Sequence, residues 1–326
     1  MTVTGRRVLW LIRALAIAGL AATFHRSEAA DYPVRPVRLV VVASGGAADI
    51  FARLIGNHLS NAWGQQVVVD PRPGGSGVVA AQIVARAAPD GHTLLFTFHG
   101  HTLTAARGGT LPYDPVKDFT PITQIGASGS ILTIHASSPI QSVREFIDWT
   151  RNTKANLNVG VPGMGSGGYL AAHTYNQMTG VNAALINNAG SAPALVGVLG
   201  KQYDYAFTSV TSAMGFVRNG QLRAIAVTMP KRIKALPMIP ALAEALPGFD
   251  VAGWWGVLAP ANAPRPIIVK IHSGIVKALA TPRLASAFEA EGTEVVVSSP
   301  EEFTTFLSRD IDKWKKALAS SRDTDK

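Results

Sequence analysis

The sequence predicts an α/β protein built from two similar lobes. Short β-branched runs alternate along the chain with longer stretches of helical periodicity, as in sheets whose strands are joined by helices. A strand, a glycine-rich turn and a helix occur in that order twice at large separation, at Val41–Leu54 (VVASGGAADIFARL) and at Val159–His173 (VGVPGMGSGGYLAAH). The chain has 326 residues and 0 Cys. Once an N-terminal leader is set aside, about 295 residues must bury cores as one large domain or two ordinary ones, without disulfides or thiolate metal sites.

The leader comes first in chain order. Arg6 and Arg7 precede the apolar run VLWLIRALAIAGLAAT, and Ser27 and Ala29 occupy the small-residue positions of a cleavage site. Residues 1–30 therefore read as a cleaved signal peptide, and the remainder as an exported protein. Arg13 interrupts the apolar run, leaving it much shorter than the roughly 20 residues of a membrane span. The paired arginines suit either the general secretory route or the twin-arginine route, and both stay open. The formal charge is +9. Arg6, Arg7, Arg13, Arg26 and Glu28 account for a net +3 of it, which leaves +6 scattered over the rest. No basic stripe with interleaved aromatics is present, so nucleic acid is not an expected partner.

After the leader, strands are expected at Arg38–Ala43, Val67–Val69, Thr93–Thr97, Ile131–His135, Leu157–Val161, Ala183–Ile186, Tyr203–Phe207, Ala224–Thr228, Gly256–Ala259 and Glu294–Val297. With helices between most of them, the sheets should be mostly parallel. Ser142 with Glu145 has capping-box spacing, and Ser299-Pro300-Glu301-Glu302 adds a proline at the first helical position. Asp49 precedes Ile50, Leu54 and Leu59 on one helical face and is expected to serve the start of that helix.

The glycines Gly163, Gly165 and Gly168 have the G-x-G-x-x-G order of a dinucleotide turn. That use needs a carboxylate at the end of the next strand, where this chain has Ile186-Asn187-Asn188-Ala189. No Gly-Lys-Ser/Thr follows a glycine turn, and neither Ser166 nor Ser44 has glycine on both sides as a nucleophile elbow requires. His99 and His101 form a pair without a positioned third ligand. No cofactor and no metal are expected. What remains is an anion site made of main-chain N–H groups, since Ser44-Gly45-Gly46-Ala47, Gly163–Gly168 and Gly190-Ser191 each open a helix. In open α/β sheets such turns lie beyond the carboxyl ends of the strands, so facing lobes would bring them to one cleft.

The chain after the leader resembles, almost end to end, the periplasmic substrate-binding proteins of tripartite tricarboxylate transporters, the Bug or TctC-like receptors. The resemblance is carried by YPVRPVRLVV (Tyr32 to Val41), GGAADIFARLI (Gly45 to Ile55), DPRPGGSG (Asp70 to Gly77), AAPDGHTLL (Ala87 to Leu95), LPYDPVKDFTPI (Leu111 to Ile122), GSAPALVGVLGKQYDYAF (Gly190 to Phe207), GQLRAIAVT (Gly220 to Thr228) and LPMIPALAEALPGF (Leu236 to Phe249). It implies a type II periplasmic-binding-protein fold, two α/β lobes around a ligand cleft with hinge crossings. The lobes would comprise residues 31–129, 130–252 and a return to the first lobe over 253–326. It also implies no catalysis, a small carboxylate ligand, delivery to membrane subunits of the transporter, and a monomer. A ligand sensor for a membrane signalling protein, or a hydrolase using His99 and His101, are the alternatives.

Carried over by position, ligand contacts fall on Ser44, Gly45, Gly46, Ala47, Asp49, Phe98 and His99 of the first lobe. In the second they fall on Gly163, Gly165, Ser166, Gly167, Gly168, Asn188, Gly190, Ser191, Thr208 and Ser209. Asp49 reads either as a cleft acid or as a helix cap. The chain departs from the family at Tyr169, where histidine is common, at Thr208, where aspartate is common, and at Asn188-Ala189, where Tyr-Lys is frequent. Fewer fixed charges near the cleft follow, and no particular ligand carries over.

Overall fold

The computed structural model describes residues 32–44, 46–163 and 166–322. The expected leader and the anticipated contact residues Gly45 and Gly165 lie outside them. Ten strands are β1 (Val37–Val41), β2 (Val67–Pro71), β3 (Thr93–Phe98), β4 (Phe119–His135), β5 (Asn158–Val161), β6 (Ala184–Asn187), β7 (Tyr205–Ser209), β8 (Leu222–Val227), β9 (Ala252–Pro260) and β10 (Thr293–Val295). They form one curled mixed sheet in the order β2-β1-β3-β9-β4-β7-β5-β6, with β8 and β10 also paired to β4.

β1 pairs in parallel with β2 and β3, and β5 in parallel with β6 and β7. Every pairing made by β4 and β9 is antiparallel. The expectation of mostly parallel sheets is corrected here: the parallel pairs occupy the two flanks, and the middle is antiparallel. The strand expected at Ile131–His135 is the last third of the 17-residue β4. Its first part, from Phe119 to Gly129, runs along β9, and from Ser130 onward it runs along β7 and β8. A strand of that length serves both lobes, so Gly129 and Ser130 sit at a crossing. Pro121, which has no N–H to give the ladder, falls at a register shift against β9.

The return crossing lies beside the first. Thr228 is fully buried, and its Oγ1 accepts the Ser130 N–H at 2.8 Å while donating to the Val251 carbonyl at 2.9 Å. The Thr228 N–H donates to the Ser130 carbonyl at 2.9 Å. One hydroxyl thus fastens both segments that pass between the lobes, donating to one and accepting from the other.

Helices cover both faces of each half. On the first lobe, α1 (Gly46–Trp63), α8 (Arg265–Leu279) and α9 (Pro282–Ala290) bury Phe51, Ile55, Ile271 and Phe288 against Leu39, Leu94 and Val257. On its other face α2 (Val78–Ala85) joins Phe303 and Leu307 of α10 (Pro300–Arg322) around Val40, Leu95 and Trp254. In the second lobe α4 (Val143–Asn152) and α5 (Gly167–Thr179) cover one face, and α6 (Ser191–Leu199) and α7 (Val210–Arg218) the other. The buried positions of α4, Val143, Phe146, Ile147 and Thr150, follow the three-and-four spacing of a single helical stripe. The remaining helix, α3 (Gly100–Arg107), follows β3 directly.

The caps behave unevenly. Ser299 and Glu302 form a reciprocal box, Ser299 Oγ accepting the Glu302 N–H at 3.2 Å and Glu302 Oε2 the Ser299 N–H at 2.8 Å. Ser142 Oγ likewise accepts the Glu145 N–H, while Glu145 reaches back one residue further, to the Gln141 N–H. Asp49 stands in the first turn of α1, where its charge favours the helix dipole, but its carboxylate pairs with Arg53 at 3.0 Å. No cap bond from Asp49 to a backbone N–H is found among the described residues.

α10 joins the two cores. Its Phe303 and Leu307 belong to a first-lobe core, and its Ile311 and Trp314 to the main core of the second. Between them Asp310 is 5% exposed, and its Oδ2 accepts from Trp254 Nε1 at 2.9 Å and lies 2.5 Å from Thr102 Oγ1. Burial raises its carboxyl above the ordinary range, against the lowering effect of those two partners.

Candidate functional site

Parallel strands of both lobes end toward the same space. β3 ends at Phe98 and passes straight into α3, and β5, β6 and β7 end at the turns before α5, α6 and α7. A cavity of about 170 Å³ lies where these ends meet the crossing strand. Its wall is His99 and Gly253 from the first-lobe side, Ser128, Gly129, Ser130 and Val251 from the crossings, and Pro162, Ser166, Gly167, Gly168, Ser191 and Ser209 from the second lobe.

The second-lobe wall consists of helix beginnings. Ser166 caps α5 by accepting the Tyr169 N–H at 3.0 Å, and Ser209 caps α7 by accepting the Ser212 N–H at 3.4 Å. Ser191 opens α6, and its Oγ accepts the Ser209 N–H at 3.1 Å, which locks two of the three helix starts together. The first N–H groups of a helix have no partner inside it, and those of Gly167 and Gly168 belong to wall residues. Three helix starts on one wall concentrate partial positive charge there without any cationic side chain.

The glycine pattern of this turn has local causes. Gly163 has φ 118°, a backbone setting that favours glycine. At Gly168 a Cβ would come within 2.1 Å of the Phe207 carbonyl oxygen, because α5 lies directly on β7. Gly163 and Gly168, the outer glycines of the spacing shared with dinucleotide turns, are thus set by a turn that needs positive φ and by a helix that needs close approach to a strand.

His99 faces this wall from the other lobe. Its N–H donates to the Trp254 carbonyl at 3.1 Å, and its own carbonyl accepts from Leu103 N–H and Thr102 Oγ1, both at 3.0 Å. The ring packs edge-on against Phe98, with centroids 4.9 Å apart. Nε2 is buried without a partner, and Nδ1 lies toward Gly253, 2.9 Å from where a Cβ at that residue would stand. Desolvation pushes the imidazole down to about 4, so it is neutral near pH 7. His101 is turned elsewhere. Its Nε2 is 2.8 Å from the Pro115 carbonyl and its ring lies between Tyr113 and Phe119, so the two imidazoles do not converge.

Of the residues anticipated from sequence, the structure gathers His99, Ser166, Gly167, Gly168, Ser191 and Ser209 in the wall. Ser44, Gly46, Ala47 and Asp49 lie at the turn into α1, beyond the end of β1 and beside β3, and are not among the wall residues. Phe98 packs behind His99, against Trp255. Asn188 is engaged by the fold, donating to the Ile186 carbonyl at 2.8 Å and accepting from Tyr203 Oη at 3.2 Å. Gly163 and Gly190 shape the turns before α5 and α6, and Thr208 Oγ1 is buried without a partner one residue before Ser209.

Ser128, Gly129, Ser130, Pro162, Val251 and Gly253 were not anticipated. For Ser128, Gly129 and Ser130 the signal was the run Gly126-Ala-Ser-Gly-Ser130, since glycine inside a strand marks close approach. Gly129 shows it, because a Cβ there would stand 2.7 Å from Met229 Cγ.

Comparison with known proteins gives a consistent picture. Residues 51–322 match the family described as tripartite tricarboxylate transporter family receptor. A protein from Pseudomonas sp. (strain P51), described as a UPF0065 protein in the tcbD-tcbE intergenic region, is 31% identical over 321 residues, 98% of this chain and 95% of its own. Among solved structures, the R. palustris protein Rpa4515 with adipate has a TM-score of 0.74 at 31% identity, covering 88% of this chain and 97% of that one. MatC from Rhodopseudomonas palustris, with bound malate, has a TM-score of 0.71 at 31% identity, over 88% of this chain and 100% of that one.

Proposed function

This chain belongs to the tripartite tricarboxylate transporter receptor family, and from that membership we propose that it is a periplasmic receptor that captures a small carboxylate and presents it to a tripartite tricarboxylate-type transporter. The observation that carries the reading is the meeting of three helix starts, α5, α6 and α7, on one wall of a cavity between the lobes. A carboxylate there takes N–H and serine O–H donors and needs no lysine or arginine. Hydrogen bonds to a charged group are worth roughly 1.5–3 kcal/mol each, so two or three support micromolar binding once the cost of closure is subtracted. Closure bends the crossings at Gly129–Ser130 and Thr228–Val251 and brings His99 toward the second-lobe wall. Binding and release are the whole reaction, with no bond made or broken. Malate and adipate, the ligands of the two structural relatives, enter as members of the class to be screened.

Thermal-shift screening of the chain against carboxylates, sugars and nucleotides tests this. Acids are expected to raise the melting temperature in a concentration-dependent way. A sugar or nucleotide that stabilises where no acid does overturns it.

A further inference from the structure

The first-lobe side of the cavity wall has a support that lies behind it. His99 caps α3, so the placement of this one residue is also that of the helix start, whose leading N–H groups carry partial positive charge. Thr102, buried in the first turn of that helix, donates its hydroxyl to the His99 carbonyl at 3.0 Å and lies 2.5 Å from Asp310 Oδ2. The same carboxyl oxygen accepts from Trp254 Nε1 at 2.9 Å, and the Trp254 carbonyl accepts the His99 N–H at 3.1 Å. His99, Thr102, Asp310 and Trp254 therefore form a closed circuit, with His99 in the wall and Asp310 outside it. One turn further along α10, Lys313 Nζ is 3.5 Å from Asp250 Oδ2, next to the wall residue Val251. That pair is partly exposed on both sides and holds little, whereas hydrogen bonds to a buried carboxyl fix geometry strongly.

Resting on the receptor reading for the role of the cavity, we propose that Asp310 is a positioning residue of the ligand site: without touching the ligand, it ties Thr102 to Trp254 and so holds His99 and the start of α3 at the wall. Apolar packing alone would leave this placement loose. Leu103 and Ala106 of α3 share a core with Ile311 and Trp314 of α10, contacts that keep the two helices together but tolerate small slides and rotations, whereas hydrogen bonds are directional. A binding group stays within roughly 0.5 Å of its productive position only when its supporting bonds lock it. A carboxyl that merely filled space would be replaceable by leucine, and the Thr102 hydroxyl by a methyl group, with no consequence for the cavity.

Two measurements on the full chain test this: the imidazole resonances of His99 in the ligand-free protein by NMR, and the affinity for malate and adipate by titration calorimetry. The variants are Thr102→Val, Thr102→Ser, Asp310→Leu and Asp310→Asn. Thr102→Val and Asp310→Leu are expected to move the His99 resonances and to weaken binding of whichever probe the wild type takes by roughly tenfold. Thr102→Ser keeps the hydroxyl and Asp310→Asn keeps an accepting oxygen, so each should restore both readouts, a pattern that a loss of stability alone does not produce. Should Asp310→Leu fail to fold, the two Thr102 variants and Asp310→Asn decide. Unmoved resonances with unchanged affinity in Thr102→Val overturn the inference, as does a loss in Thr102→Ser and Asp310→Asn equal to that in their apolar counterparts. In either case the receptor reading stands. If neither acid binds the wild type, it is the receptor reading that loses support, and the resonances alone decide the positioning: shifted in Thr102→Val and restored in Thr102→Ser upholds it, unmoved in both overturns it.

Discussion

Gly253 leaves room for His99: a Cβ at residue 253 would stand 2.9 Å from the imidazole Nδ1. Glycine is used here for space, and the ring occupies that space because Trp254, the next residue, accepts the His99 N–H. Gly253→Ala should therefore tilt the ring away from the cavity and weaken carboxylate binding by about tenfold, equivalent to about 1.4 kcal/mol. The melting temperature of the unliganded protein should stay nearly constant. Calorimetry paired with thermal unfolding checks this, and unaltered affinity would remove His99 from the site.

Two histidines whose protonation is disfavoured in the fold, His99 and His101, set an acid limit on stability. Burial lowers both His99 and His101, the first to about 4 and the second against the opposing effect of the Pro115 carbonyl. An unfolded chain takes up these protons near the ordinary value of about 6.5, and the folded one does not until lower pH. Their stability contribution is thus complete above about 6.5 and lost as pH falls below it, for His99 as pH approaches about 4. His99→Gln should flatten the dependence of unfolding free energy on pH in that window by up to one proton, about 1.4 kcal/mol per pH unit. Chemical denaturation in a pH series measures it.

Asp310 works with the opposite sign. Its carboxyl is raised by burial, so the stability linked to its proton is present below the ordinary carboxylate range and lost as pH rises through the raised value. Asp310→Asn carries no charge to desolvate, and its stability relative to wild type should improve from acid to neutral pH. Asp310→Ala leaves the buried Trp254 Nε1 without its partner, while Thr102 Oγ1 keeps the His99 carbonyl, and should cost roughly 1–3 kcal/mol. Melting temperatures of both variants at acid and neutral pH distinguish these effects.

Gly168 is fixed by packing before any ligand is considered. Gly168→Ala places a methyl group 2.1 Å from the Phe207 carbonyl oxygen, and α5 must lift from β7 to admit it. A loss of roughly 1–3 kcal/mol is expected, with weaker binding because the α5 start moves out of the wall. Urea unfolding gives the first quantity and calorimetry the second.

The legible parts of this molecule were those governed by local chemistry. The flanking strands, the Ser299–Glu302 box and the helix starts at Gly167 and Ser191 all follow from short-range propensity and capping. The middle of the sheet was not legible in the same way. β4 contains Pro121, Gly126 and Gly129, residues that ordinarily punctuate strands, and it is extended because β9, more than a hundred residues later, lies along it. Its antiparallel pairing removed the expectation of mostly parallel sheets. The site divided along the same line. Ser166, Gly167, Gly168 and Ser191 of the second-lobe wall were read from glycine turns, whereas Ser128, Gly129, Ser130 and Gly253 enter it only through tertiary pairing. Asp49 was read as a cap and stands in the right turn of α1, yet a neighbouring arginine claims its carboxylate.

The reach of α10 across both cores bears on how the chain acquires its structure during synthesis. Phe303 and Leu307 complete one lobe and Ile311 and Trp314 the other. Neither hydrophobic interior is sealed until a stretch of about a dozen residues, far along the chain, has left the ribosome. Everything made earlier waits with an open apolar seam on each lobe, and both seams close in one late step. Proteolysis of nascent or stalled chains would register that step as a single sharp gain in resistance near residue 314, with no earlier plateau for the first lobe.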